Sequence, residues 1–441
     1  MKNQKLFKKG NRMILTMIMF IVSVFFVNAN VFAEEVFTEV NDVNSLKIAI
    51  ANEENVKLTA SFEISESIKI TEKNIILDLN GYTITGLDKV SSGNFNLFEV
   101  FKGEFTVIDS VGTGTMTLKA DTNRLWGGMS TMIEDHTSVV TIKGGTFTHL
   151  GGSDMAYVVN VNANSYGDAT LNVYDGTLYS PYTAVRLFMS KAGTTYLNVY
   201  GGNLDGGTSA IWAQAPESKS GQTGVINIVD GDLGVVNTAR TENAAVDTEI
   251  SGGSVKSIKS EAGELKITGG HVEGILNILS AAGEPVESDN IITGGTFGEN
   301  PKKFLDPSVA VDAAITNGED TTYAVGEDNV KEAVASAPKG AIVEVSGDIA
   351  LEKVPAGVTV KATQGSNVTA NGIEVTVDGI TVEEPKEETE TGTAIPEKDD
   401  VKDTIENPDT SDNILVSIAL ASASLVAIVG YVVYNKKGSY N

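Results

Sequence analysis

The chain has 441 residues, 58 of them acidic and 32 basic, for a formal net charge of −26. That balance argues against nucleic-acid binding, and the lack of any cysteine excludes disulfides and cysteine-held zinc or redox centres. The 45 glycines among many threonines, valines and isoleucines suit a fold of strands and sharp corners.

Residues 1–33 read as a secretory signal peptide. Lys2, Lys5, Lys8, Lys9 and Arg12 form a basic region, and Met13 to Val27 form an apolar run of 15 residues. Val31-Phe32-Ala33 then offers a cleavage site between Ala33 and Glu34. The run is short for an uncleaved anchor across ~30 Å of hydrocarbon. Without this segment and residues 412–441, 25 basic residues face 57 acidic ones, a net charge of −32.

Asn44-Ser-Leu-Lys-Ile-Ala-Ile-Ala51 has the apolar spacing of a short helix, with Asn44 or Ser45 as N-cap and Leu46, Ala49 and Ile50 buried. It is expected to cap the open end of a stack of strands. Val56–Thr59, Phe62–Ile64, Ile68–Ile70 and Ile75–Leu79 supply the first strands. Phe95, Phe98, Phe101 and Phe105 follow as inward-stacked rings. In the loop Arg124–Met129, Trp126 is either a stacking group for a sugar ring or a side chain folded over the coil; Trp212 is the other stacking candidate.

From Ser138 to Phe297 one phrase repeats: an alternating strand, a glycine pair or Asp-Gly, then a small and an apolar residue. It reads Val140-Thr-Ile-Lys-Gly-Gly-Thr-Phe147, Leu171-Asn-Val-Tyr-Asp-Gly-Thr-Leu178 and Leu197-Asn-Val-Tyr-Gly-Gly-Asn-Leu204, and runs on to Ile291-Ile-Thr-Gly-Gly-Thr-Phe297. The second glycine falls at Gly145, Gly176, Gly202, Gly231, Gly253, Gly270 and Gly295, in steps of 31, 26, 29, 22, 17 and 25 residues. A period of this size signals stacked turns of a coil, each holding two or three short strands paired in parallel with its neighbours. An antiparallel sandwich would instead place turn signals every ~8–12 residues without phrases in register.

This phrase, with Asn74-Ile-Ile-Leu-Asp-Leu-Asn-Gly-Tyr-Thr-Ile-Thr-Gly86, resembles the pectate-lyase-like right-handed parallel β-helix. It is closer still to the Gly-Gly-Thr-Phe-rich β-helices of Gram-positive surface proteins. The resemblance spans residues 37–326 and implies an all-β solenoid over 34–326. The fold hosts lyases, hydrolases, adhesins and stalks alike, so it does not by itself fix an activity.

Residues 327–382 read as a small β-rich module, because Asp328–Ala335 repeats the pattern of the first helix and short strands follow it. Residues 383–406 form a linker with ten acidic and three basic positions in 24, too poor in large apolar side chains to fold. Asn407-Pro408-Asp409-Thr410-Ser411 then precedes 21 uncharged residues, Ile414 to Tyr434, and Lys436-Lys437. At 1.5 Å per residue that run spans about 31 Å, enough for a transmembrane helix with its lysines in the cytoplasm. The tripartite ending resembles a sortase cell-wall sorting signal, with Asn407 in place of Leu and Ser411 in place of Gly. That resemblance implies transfer of the Thr410 carbonyl to peptidoglycan; the alternative is a plain membrane anchor.

Asp175 and Asp230 occupy the same place in the phrase two turns apart, about 9.6 Å at ~4.8 Å per turn, at the edge of the range for an inverting carboxylate pair. Asp232 lies nearby, and Arg186, in Ala184-Val-Arg-Leu-Phe188, is one of three arginines after residue 33, with Arg124 and Arg240. Asp-Gly at a corner is also ordinary turn chemistry, and an arginine on a coil face is commonly solvated or ion-paired. His136, His149 and His271 have no ligand spacing. No cofactor or metal is expected, and the nonapeptide calcium repeat is absent from the sequence. The expectation is a surface-anchored stalk or adhesin for glycans or host proteins; the alternative is a wall-attached polysaccharide lyase or glycoside hydrolase.

Overall fold

A computed structural model describes residues 36–384, apart from 91–92, 121–127, 152–154, 164–166, 190–192, 215–221, 239–243, 261–262, 275 and 279–290. The signal segment with Ala33 and Glu34, the linker from 385 on, the motif Asn407–Ser411 and the run 414–434 lie outside the described residues, as do Trp126, Arg124 and Arg240. Among the described residues no helix is long and apolar enough to cross a membrane.

The described chain is mostly β, built on one long sheet of parallel strands in a β-helix-like solenoid. Each turn contributes to three walls. The first wall stacks 55–58, 74–78, 104–108, 139–142, 169–173, 195–199 and 224–228. The second stacks 62–64, 83–88, 115–120, 146–149, 177–180 and 203–206. The third stacks 68–71, 95–101, 130–136, 156–163, 183–189 and 209–214.

Alternation within each strand turns every second side chain inward, and the parallel register lines these up in columns. Ile142, Val173, Val199, Ile228, Ile250 and Ile267 form one such column, and all are buried. Phe147, Leu178, Leu204, Leu233, Val255, Val272 and Phe297 form another. Each such side chain contributes roughly 1.5–3 kcal/mol of burial, so the core is a series of apolar ladders.

The corner between the first two walls is the glycine position expected from the repeat. Gly145, Gly176, Gly202, Gly231, Gly253, Gly270 and Gly295 all have positive φ, from 72° to 112°. Close stacking adds a second requirement. A Cβ on Gly202 would lie 2.7 Å from the Gly176 carbonyl oxygen, and one on Gly253 2.6 Å from that of Gly231.

Helix α1 (Val43–Ala51) covers the first turn and buries Leu46, Ala49 and Ile50, as expected. Its N-cap is Asp42 rather than Asn44 or Ser45: Asp42 accepts from the Ser45 N–H (2.7 Å), and the Ser45 side chain returns the bond as a capping box. At the other end the parallel stack stops where 295–297 pairs antiparallel with 323–325. That hairpin, 312–317 with 320–325, belongs to two cores. Val325 packs in the solenoid core, whereas Val311, Ala313, Ile315 and Ala324 pack with Val330 and Val334 of helix α2 (Glu327–Ala335). The second core therefore begins ahead of residue 327, because the hairpin's alternate residues face opposite ways. The module that follows has two further parallel pairings, 342–345 with 359–362 and 349–351 with 368–370. Antiparallel strands 380–381 and 373–375 close it.

Candidate functional site

The third wall carries the one concentration of buried charge among the described residues. Register places Lys69, Glu99, Glu134, Asn160, Arg186 and Trp212 side by side on consecutive strands. Beside them run Thr71, Phe101, His136, Asn162, Phe188 and Gln214. Glu134 is 2 % and Arg186 5 % exposed, and Asn160 is buried completely. His136, Asn162, Tyr182, Phe188, Trp212 and Gln214 are half-buried and form a rim over this floor.

Both oxygens of Glu134 accept from the amide of its cross-strand neighbour, with Asn160 Nδ2 2.8 and 2.9 Å from them. Asn162 Nδ2 adds a longer contact (3.4 Å), and His136 Nε2 lies 3.4 Å from Oε1. Burial pushes the carboxyl up to about 7, against the opposing pull of the Asn160 and Asn162 hydrogen bonds and the Arg186 charge. Burial also holds the His136 imidazole below its usual value and raises Asp135, on the inward side of the same strand, well above the carboxylate range. Asp135 is completely buried and accepts the Ser138 N–H (3.0 Å).

Arg186 sits in a cage. Nη2 donates to Gln214 Oε1 (2.7 Å) and Nη1 to Met129 Sδ (2.9 Å). The guanidinium lies 4.0 Å from the Phe188 ring centre, 5.3 Å from Tyr157 and 5.7 Å from Trp212. Tyr182 meets Tyr157 and Trp212 edge-on at 5.8 Å in each case, extending the rings into a herringbone along the wall. Among the described residues, six of the eight buried polar side-chain atoms that make no hydrogen bond lie on this wall: Asn96 Oδ1, Thr131 Oγ1, Asp135 Oδ2, Tyr157 OH, Asn160 Oδ1 and Arg186 Nε. Buried polar atoms are ordinarily satisfied, and the exceptions concentrate on this wall.

The structure thus brings Arg186 and Trp212 together, and separates both from the corner aspartates. Asp175, Asp230 and Asp232 are exposed. Asp175 Oδ1 accepts the N–H of Gly176 (2.7 Å) and Asp230 Oδ1 that of Gly231 (2.8 Å), which is turn chemistry. A second exposed feature, Tyr174 stacked on Tyr200 at 4.7 Å, offers no open ring face toward Lys143, whose ammonium lies 5.8 Å from the Tyr174 ring. His149 is buried and engaged by Ser130 (3.0 Å) and the Gly151 N–H (3.2 Å), and His271 by Thr296 (2.9 Å). No group of side chains suited to a metal ion occurs among the described residues.

Glu134, Asn160, Tyr157 and Gln214 were not legible as site residues in the sequence. The available signal was Glu134-Asp135-His136 closing a strand pattern, three polar residues where a buried wall calls for alternation. Comparison with protein-family models, curated proteins and solved structures finds no match to this chain.

Proposed function

We propose that the protein is a cell-surface β-helix of the right-handed parallel kind, acting as a stalk whose third wall binds a glycan or a protein displayed by its surroundings. The observation that carries this reading is the half-buried aromatic rim of Tyr182, Phe188 and Trp212 over a buried polar floor, on a rigid wall. Rings give a binding face large apolar area at little cost in side-chain entropy, and fixed polar groups beneath them give selectivity. The ends of the coil are covered by α1 and by the closing hairpin, which suits a discrete rod rather than a fibre. The exported protein, probed against glycan and matrix-protein arrays, is expected to bind members of one class, and Trp212→Ala to lose them. An array with no wild-type binding refutes the reading.

A second reading, a wall-attached glycoside hydrolase, is favoured by one feature. A carboxyl titrating near neutrality suits a general acid, and Glu99 stands one strand away, about 4.8 Å along the stack, close to the separation of a retaining pair. Reducing-sugar release that disappears in Glu134→Gln supports it; no release, and no unsaturated product, from a glycan panel removes hydrolase and lyase together.

Anchoring rests on sequence. Pro408 and Thr410, the apolar run 414–434 and Lys436-Lys437 follow in the order that wall sorting requires. Muramidase digestion of native cells is expected to release protein bearing peptidoglycan fragments and lacking residues 411–441, and Thr410→Ala to leave it in the membrane. Wild-type protein retaining Tyr434, without wall fragments, makes the ending a membrane anchor alone.

A further inference from the structure

Resting on the glycan reading, we infer that the third wall selects an uncharged sugar chain and discriminates against acidic polysaccharides. The ligand would lie along the rim row Asn162, Phe188 and Gln214, beside Trp212.

Three observations point this way. First, the cation at the centre is already engaged. Each terminal nitrogen of Arg186 has a partner, rings occupy its planar faces, and the side chain is buried, so no open guanidinium edge faces the rim. A carboxylate or sulfate ligand is bound best by a two-pronged guanidinium contact, which this arrangement withholds. The other cations near the wall are also paired: Lys69 with Glu99 (3.4 Å) and Lys102 with Glu72 (4.0 Å). Along the same row the next basic residue, Lys259, stands two strands beyond Trp212.

Second, the rim row itself is uncharged. Asn162 and Gln214 carry amides, and Phe188 and Trp212 rings, all half-buried. An amide and a sugar hydroxyl each donate and accept, so a run of hydroxyls can pair with this row directly or through one water. A carboxylate or sulfate group has no proton to give an amide oxygen and meets the neighbouring Glu134 and Glu99 carboxyls instead.

Third, the field is adverse. The chain carries 58 acidic against 32 basic residues, so a polyanion approaching at low salt is repelled over a Debye length. Rings and amides alternate on the rim at about 4.8 Å per strand, close to the advance of one sugar residue in an extended chain.

Calorimetric titration of the full exported protein tests this with neutral hexasaccharides (cello-, manno- and xylo-hexaose) and acidic ones (hexagalacturonate and a hyaluronan hexasaccharide). Each is measured at about 20 and 300 mM salt, bracketing strong and weak screening. The expected result is a neutral ligand at least about tenfold tighter than either acidic one, with affinity unaffected by salt. Trp212→Ala and Asn162→Ala are each expected to weaken it about tenfold, and circular dichroism confirms that each variant is folded. Tighter binding of an acidic hexasaccharide overturns the inference while leaving the glycan reading standing. Binding of no hexasaccharide overturns both. Neutral binding untouched in both folded variants overturns the placement on this wall.

Discussion

Replacing Gly253 by alanine should cost far more than the same change at Gly318, although both glycines have positive φ. Gly253 has φ +72°, and an added Cβ would meet the Gly231 carbonyl oxygen at 2.6 Å and the Asp230 carbonyl carbon at 2.9 Å. Both are backbone atoms of the preceding turn, so relief requires the stack itself to open. Gly318, at the tip of the closing hairpin, has φ +66° and nothing within 4 Å of its Cβ. The left-handed conformation alone costs an alanine roughly 1–2 kcal/mol, which is the whole expected effect at Gly318. Forcing an atom into the packed corner adds roughly 1–3 kcal/mol, giving about 2–5 kcal/mol at Gly253. Valine at Gly202 carries the same approach, with its Cβ 2.7 Å from the Gly176 oxygen, and its branched side chain tolerates positive φ still less. Because each turn of a solenoid is stabilised by its neighbours, the loss should lower the midpoint for the array rather than release one loop. Urea unfolding followed by circular dichroism reads both variants. Equal midpoint shifts for Gly253→Ala and Gly318→Ala would refute close corner stacking as the reason for the repeated glycine.

Glu134 makes stability depend on pH. Its folded value is about 7 against 4.5 for a solvent-exposed glutamate, so the native state holds the proton more tightly. The contribution is fully present below pH 4.5 and lost as pH rises through 7, about 3 kcal/mol in all. Melting temperature should therefore fall across that window, and Glu134→Gln, which imitates the protonated acid, should flatten the fall; an unchanged slope would count against the buried carboxyl. Asp135, raised in the same direction, leaves a residual slope in that variant. Arg186→Ala should destabilise by about 3–5 kcal/mol, because it empties the ring cage and leaves Glu134 without its nearby cation; a loss under about 1 kcal/mol in urea unfolding would make the cage incidental. Leu46→Asp places a charge in the buried face of α1, so it should expose the first turn and produce concentration-dependent association in light scattering, whereas a monomer of unchanged melting temperature would deny α1 its capping role.

What the sequence determined by itself was the coil. Strict alternation ending in a glycine pair has few physical solutions, and the seven repeated glycines marked the corners before any contact was known. Local chemistry also placed α1 and its buried residues, missing only that Asp42 outcompetes Asn44 and Ser45 for the N-cap. The candidate site was another matter. Glu134, Asn160, Arg186 and Trp212 are separated by 26 residues at each step and share no motif, so nothing local links them. Only parallel register sets them side by side, and only burial by the wall turns an ordinary glutamate into a carboxyl titrating near neutrality. Asp175 and Asp230 illustrate the converse. Their matched place in the repeat suggested a pair, yet repetition places them at exposed corners, where each carboxylate serves the turn it stands in. Sequence periodicity sets which residues face inward; desolvation and cross-strand neighbours, which are tertiary, decide what a titratable group can do.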